Sequence, residues 1–311
     1  MRTLDKIYID GQFVTPHGEE LFDLFNPATE AQIGQVRLGD AEDARAAVVA
    51  AKRAFPAFSR TSKQERIAML HRLHDAVAAR AEAMAAAMVE EYGAPAYFVD
   101  FSARRSASVF LDMAKTLEDF DFHQTIGRAE VTLQPLGVVA AIIPWNSNYG
   151  FICGKLAGAI AAGCTIVIKP SEMSALQTSV LMPALHEAGL PPGVFNIVNG
   201  RGDVVGAELT SHPDVAKVTF RTSDRKEIPM RTLDKIYIDG RFVAPHGQEL
   251  FDLFNPATKA RIGQVRLGDA EDARAAVAAA KRAFPAFSRT SKQERIAMLH
   301  RLHDAVAARA E

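Results

Sequence analysis

Two cysteines and one tryptophan are all that 311 residues hold of either type. Cys153 and Cys164 make no disulfide framework, so a reducing, cytoplasmic setting is expected. A surplus of one charge is lacking too. The 36 Lys and Arg against 37 Asp and Glu leave a net charge of −1, which gives no electrostatic case for nucleic acid or an anionic membrane as partner. Apolar runs are short, the longest lying near Gly137–Pro144, well under the ~20 residues that a bilayer-spanning helix needs. The opening MRTLDKIYIDG has no apolar segment of a signal-peptide kind. The remainder, 48% hydrophobic and 23% charged, is ordinary globular composition at a length that suggests about two domains.

What the sequence does have is a repeat. Met1–Glu82 returns as Met230–Glu311 at a constant offset of 229, with six differences: Gln12/Arg241, Thr15/Ala244, Glu19/Gln248, Glu30/Lys259, Gln32/Arg261 and Val49/Ala278. None alters the apolar pattern. Two such copies are too long and too far apart for a stacked solenoid unit. The second opens on a Met and stops inside a helical pattern, as a second start of one gene would. What should follow residue 220 is therefore expected to be missing, with Arg221–Pro229 as a linker or junction.

Lys6–Val14 alternates around Asp10-Gly11 and predicts a hairpin. Asn26-Pro27 marks a turn. Asp40 can cap a helix to about Phe55, and Ser62-Lys63-Gln64-Glu65 is a capping box. The helix it opens carries Ile67, Leu70, Leu73, Val77, Ala81, Met84 and Met88, and Gly93 ends it. A further helix is expected over Tyr97–Phe120 and a strand over Arg128–Gln134. The pattern then changes to continuous apolar runs between helices. Strands are expected at Val138–Ile143, Thr165–Lys169, Val194–Val198 and Val215–Phe220, with helices at Tyr149–Ala162, Ala175–Ala188 and Asp203–Leu209. Alternation of this kind means βαβ units and a parallel, doubly wound, Rossmann-like sheet, here partial. The second copy repeats the hairpin and both helices; its stripe Ile296, Leu299, Leu302, Val306 has no evident partner. Left bare, that stripe is a mispairing liability, or it competes with the first copy for one packing site, as in a domain swap.

Three stretches together carry a resemblance: Ile142-Ile143-Pro144-Trp145-Asn146, Ile168-Lys169-Pro170-Ser171-Glu172, and Gly193-Val194-Phe195-Asn196-Ile197-Val198-Asn199-Gly200. Their order and spacing resemble the NAD(P)-dependent aldehyde dehydrogenase superfamily, and the IYIDG hairpin and FNPAT turn match it as well. The resemblance covers residues 1–220 almost continuously; residues 230–311 match only the family's N-terminal elements. It implies a small-molecule aldehyde as substrate, oxidised to the carboxylic acid with NAD(P) as hydride acceptor. It implies that Asn146 donates to the aldehyde oxygen and its oxyanion, although an Asn in a loop can equally satisfy its own turn. Ile142, Pro144, Trp145, Lys169, Ser171, Glu172 and Gly202 are implied around the cofactor, with Glu172 accepting from ribose hydroxyls. Its carboxylate would repel a 2′-phosphate, favouring NAD over NADP. Lys169 and Glu172 are also what a solvated pair at a strand end looks like.

Against this stands what the family needs and this sequence does not contain. There is no Glu-Leu-Gly-Gly-Lys-type segment for the general base and no Gly-Gln-x-Cys-type segment for the nucleophile. Cys153 and Cys164 read as small buried hydrophobes. Gly200-Arg201-Gly202 with Gly206 is not a GxGxxG turn. After Phe220 the family's pyrophosphate-binding glycines are replaced by Arg221-Thr222-Ser223, so NAD binding is expected to be weakened or lost. Val131–Gln134 resembles part of an oligomerisation arm whose partner strands the sequence lacks. His71 and His74, repeated as His300 and His303, have a spacing that can hold metal, but no ligand in register; a solvated face is the expectation, as it is for Arg104-Arg105.

The expected organisation is thus a truncated cofactor-binding domain (1–220), a junction (221–229) and a second copy of the N-terminus (230–311). The expected function is that of a family member inactive by itself. The alternatives are a catalytically dead nucleotide-binding or interaction module, forming homo-oligomers or pairing with a full-length homologue, and a rearranged gene product without function.

Overall fold

The computed structural model describes residues 2–220, 231–254 and 261–307, which fall in two compact units, Met1–Asp224 and Arg225–Glu311. The first unit opens with β1 (Thr3–Leu4) and the expected hairpin, β2 (Ile7–Ile9) and β3 (Gln12–Val14). At its tip Asp10 and Gly11 have φ of 54° and 80°, the left-handed pair that a two-residue hairpin demands and that an Asp-Gly supplies at least cost. Next, β4 (Leu21–Phe25) and β5 (Gln32–Arg37) pair antiparallel, with β1 parallel on the far side of β5. This small sheet has no counterpart among the expectations. Its strands flank the expected turn, where Asn26 Oδ1 accepts from the amides of Ala28 and Thr29 at 2.8 and 3.1 Å.

Helices follow: α1 (Ala41–Phe58), α2 (Lys63–Ala78), α3 (Ala81–Tyr92) and α4 (Ala96–Asp119). Asp40 caps α1, accepting from the amides of Glu42 and Asp43, and the Ser62/Glu65 capping box opens α2 as expected. The single helix expected from Ser62 to Gly93 is in fact two. Arg80, at φ −109°, separates α2 from α3. Then come β6 (His123–Ile126) and β7 (Ala129–Thr132), β8 (Val138–Ile142), α5 (Asn148–Ala162), β9 (Thr165–Lys169), α6 (Ala175–Glu187), β10 (Phe195–Ile197), a π-helical turn at Gly202–Gly206, α7 (Ala207–Ser211) and β11 (Val215–Phe220). The break at Arg80 lets α3 lie along α6, with Arg80 paired to Glu187 at one end and Glu91 bonded to α6 at the other. The strand expected at Arg128–Gln134 is shorter and has its own neighbour, since β7 pairs antiparallel with β6.

Strands β11, β8, β9 and β10 lie side by side and parallel, in that order. The hairpin then continues the sheet: β2 pairs antiparallel with β10, Tyr8 opposite Ile197, so the sheet has six strands. Alternate residues go to opposite faces. Tyr8, Val139, Ala141, Ile143, Ile166, Ile168, Phe195 and Ile197 join the core formed with α2 to α6. Ile7, Val138, Ala140, Val167 and Val198 join the smaller core beneath α1 and α7. Cover on both faces is why β8 and β9 are buried along their whole length and apolar with little alternation.

The second unit repeats the first seven elements: β12 (Arg231–Leu233), β13 (Ile236–Ile238), β14 (Arg241–Val243), β15 (Leu250–Phe254), β16 (Arg261–Arg266), α8 (Ala270–Phe287) and α9 (Lys292–Ala307). Its local bonds recur as well. His246 Nδ1 meets Asp269 Oδ2 at 2.6 Å, as His17 meets Asp40 at 2.7 Å. Its side chains fare differently: among its described residues only Ala279 is a buried hydrophobic. Residues 221–230, where the junction was expected, lie outside the described residues.

Candidate functional site

The carboxyl ends of β8, β9 and β10 share one edge of the sheet. The order β10-β9-β8-β11 makes the boundary between β8 and β11 the point where chain direction across the sheet reverses, and open α/β sheets bind ligands outside such a point. Ile142 ends β8 opposite Phe220, which ends β11. The amide of Ile143 donates to Lys169 O at 3.1 Å, after which Pro144, Trp145 and Asn146 leave the sheet. Ser147 turns the chain into α5 at φ 56°, a left-handed conformation unusual for a side-chain-bearing residue. Trp145 is held edge-on by Tyr92, centroids 5.4 Å apart. Asn146 is half-buried, and its Oδ1 is out of solvent with no hydrogen-bond partner among the described residues. A buried side-chain oxygen without a protein partner is costly, and Asn148, Tyr149 and Gln177 close by carry such oxygens as well.

At the end of β9 Lys169 is buried, and its Nζ donates to Glu172 Oε2 at 3.3 Å. Ser171 Oγ accepts from the amide of Met173 at 3.3 Å and starts the short 3₁₀ turn Glu172–Ser174. Arg201, beyond β10, donates from Nε to Glu20 at 2.7 Å and lies in the field of Glu172. The turn after β10 has one glycine with no room and one with ample room. A Cβ on Gly200 would lie 2.4 Å from Val205 Cγ2 and 2.8 Å from Gly39 O, whereas one on Gly202 would meet nothing within 4 Å. The structure thus brings Ile142, Pro144, Trp145 and Asn146 to the end of one strand, Lys169, Ser171 and Glu172 to the end of the next, and Gly202 to the exposed turn beyond the third. Acceptor and donor side chains beside an open turn fit the ribose of a dinucleotide. The stretch Arg221-Thr222-Ser223, where pyrophosphate would be received, lies outside the described residues.

Beneath the Asn146 loop is a polar knot that sequence reasoning missed. Asn148 is fully buried, and its Nδ2 donates to Ser174 O at 3.1 Å and Thr178 Oγ1 at 2.9 Å, tying the start of α5 to the start of α6. Glu91 accepts from the amides of Leu176 and Gln177 at 2.6 and 2.9 Å and from Gln177 Nε2 at 3.1 Å. It supplies a negative charge to the N-terminus of α6 from another helix. Burial nonetheless pushes its carboxyl up to about 7, the amide bonds opposing. Nothing in the run Val89-Glu90-Glu91-Tyr92 distinguishes Glu91 from a solvated neighbour; only the approach of α6 does.

Both cysteines are buried. Burial raises the Cys153 thiol far above its ordinary value, and Cys164 Sγ accepts from the amide of Leu136 at 3.3 Å. His74 Nδ1 sits 3.1 Å from Ala107 O while His71 is exposed. Arg104 and Arg105 pair with Asp100 and Asp112 on the outside of α4. No helix among the described residues is long and apolar enough to cross a membrane.

Comparison with known proteins bears on the family and the fold. The sequence model of the aldehyde dehydrogenase family matches residues 13–227 and again 242–311. The chain is 42% identical over 227 residues to 3-succinoylsemialdehyde-pyridine dehydrogenase of a Pseudomonas species, covering 72% of this chain and 48% of that protein. It is 39% identical over 222 residues to lactaldehyde dehydrogenase of Escherichia coli K12, covering 70% and 46%. Among solved structures, aldehyde dehydrogenase from Bartonella henselae superposes with a TM-score of 0.68 at 32% identity, covering 71% of this chain and 47% of that one. A variant of aldehyde dehydrogenase C from Pseudomonas syringae, complexed with NAD+ and octanal, gives 0.67 at 38%, covering 69% and 44%. The chain spans about half the length of the relatives it matches. Its mixed α/β fold, the match over most of its residues and identities of this size establish that the chain belongs to the aldehyde dehydrogenase family.

Proposed function

We propose that this polypeptide is a nucleotide-binding lobe of the aldehyde dehydrogenase type, that it takes NAD in preference to NADP, and that it carries out no dehydrogenation by itself. One observation carries the binding half: Lys169, Ser171 and Glu172 stand together beside the open end of the sheet, with Glu172 held by Lys169 at 3.3 Å. In this reading Glu172 accepts from ribose hydroxyls, Lys169 fixes its position, Ile142, Pro144 and Trp145 wall the cleft, and Gly202 leaves its turn open. NAD, when bound, supplies a hydride acceptor. Asn146 is the donor toward an aldehyde oxygen, a role that stabilises an oxyanion only once a nucleophile has attacked. The lack of turnover is supported by the thiols, since both are buried and, among the described residues, neither has a carboxylate or imidazole bonded to it. Association with a second chain of the family, like this one or full-length, belongs to the same reading.

Calorimetric titration of NAD and NADP into the purified protein tests it, with a thermal melt alongside to show that the first unit is folded. NAD is expected to saturate and to bind at least about tenfold tighter than NADP, because a 2′-phosphate beside a carboxylate costs more than the 1.4 kcal/mol of one decade. Glu172→Gln should close that gap. Equal binding of both, or none to a protein that melts cooperatively, refutes the proposal. A second reading, a rearranged product without a role, is favoured by the near-identical repeat; absence of both binding and a cooperative melt is its signature.

A further inference from the structure

All six positions that differ between the two copies are exposed in the first: Gln12, Thr15, Glu19, Glu30, Gln32 and Val49. The buried face by which the first copy joins the sheet is therefore identical in both. In the first copy that face is fully engaged. Tyr8 stacks on Phe195 at 4.7 Å, and the amide of Asp10 donates to Asn196 Oδ1 at 2.9 Å. Val48 is buried with Val138, Ala140 and Val167, while Leu70 and Leu73 are buried with α5 and α6. Arg66 donates to Ala161 O at 3.3 Å, at the carboxyl end of α5. In the second copy the same side chains are bare: Tyr237 is 62% exposed, Val277 67% and Leu299 65%. The backbone agrees. A Cβ on Gly11 would lie 3.3 Å from Pro192, and one on Gly39 2.8 Å from Val198. On Gly240 it would meet nothing within 4 Å, and on Gly268 only its own Asp272. One copy thus shows what covers the naked face of the other.

We propose that residues 230–311 dock on the β8–β11 sheet of a second copy of this chain, in the place that residues 1–82 occupy on their own, giving an exchanged dimer. The contacts made and lost are the same, so exchange is close to neutral in contact energy. The tethered first copy competes at the high effective concentration of an intramolecular partner. Exchange therefore grows with protein concentration and whenever the first copy is weakened, and it requires unfolding to be fast.

The test uses the whole chain. Isotope-labelled and unlabelled protein are refolded together at several concentrations and treated with a carbodiimide, which joins a lysine to a carboxylate in contact with it. Lys52 pairs with Asp214 in the first copy; a docked second copy brings Lys281 there instead. The Val49/Ala278 difference gives the two lysines tryptic peptides of different mass, and the Lys52–Asp214 link is the internal standard. The expected result is a Lys281–Asp214 link carrying one label of each kind, rising with concentration. Val48→Asp, which puts a carboxylate into the first copy's buried face, should raise it about tenfold or more. Val277→Asp should abolish it. Lys52–Asp214 links alone at every wild-type concentration overturn the proposal, even if the Val48 variant does not fold. Lys281–Asp214 links confined to one label overturn it too, since they show exchange within a chain.

Discussion

A carboxyl group with three donors aimed at it and almost no water carries a pH signature. In the folded chain Glu91 titrates near 7, against 4.5 for the free side chain, because burial outweighs its hydrogen bonds. Between those values the folded state holds a proton that the unfolded state has lost, so stability must fall as pH rises through that window and level off above it. The full effect is roughly 3 kcal/mol, since each pH unit across the window removes about 1.4 kcal/mol. Melting wild-type and Glu91→Gln proteins from pH 4.5 to 8 checks the sign, since wild type should lose stability relative to the variant as pH rises, the difference becoming constant only above about pH 7. A wild-type protein that gains stability over this range relative to Glu91→Gln contradicts the assignment. The thiols make a second prediction at this scale. Cys153 is fully buried and Cys164 nearly so, so a water-soluble thiol reagent should label neither in the native protein and both after unfolding. Rapid native labelling would mean that the helix carrying Cys153 opens, and would reopen the question of a nucleophile.

At the scale of elements, identical sequences in different surroundings separate intrinsic propensity from tertiary support. Ser62 and Ser291 make the same capping box with Glu65 and Glu294. Only the first helix is packed into a core. Ser62→Ala should lower the stability of the first unit by about 1 kcal/mol, whereas Ser291→Ala should leave that unit's transition where it is; paired thermal melts decide. The same contrast explains what the sequence could reveal. Capping residues, apolar stripes and the Asp-Gly hairpin act within a few residues, and the elements they mark are present at nearly the expected bounds. The break at Arg80 has no Gly or Pro to announce it and is set by α6 lying alongside. The pairing of β2 with β10 joins residues nearly two hundred positions apart, and no local pattern specifies it. The carboxyl-edge position of Asn146, Lys169 and Glu172 was legible because each ends or follows a buried strand. Asn148 and Glu91 were not, because their partners come from a different helix.

For the whole molecule, a sheet that buries both faces still has two ends. One end is β3, a three-residue strand. The other is β11, whose side chains are largely open: Val218 is 37% exposed and Phe220 58%, and among the described residues no strand lies on its outer side. An edge strand with no neighbour on one side is a template for another strand. Cooperative unfolding of the core and loss of the protein from solution are then different events. The second depends on encounters between β11 edges, so it should govern how long a concentrated stock stays clear. Storage life will follow dilution and temperature history more closely than it follows any melting midpoint.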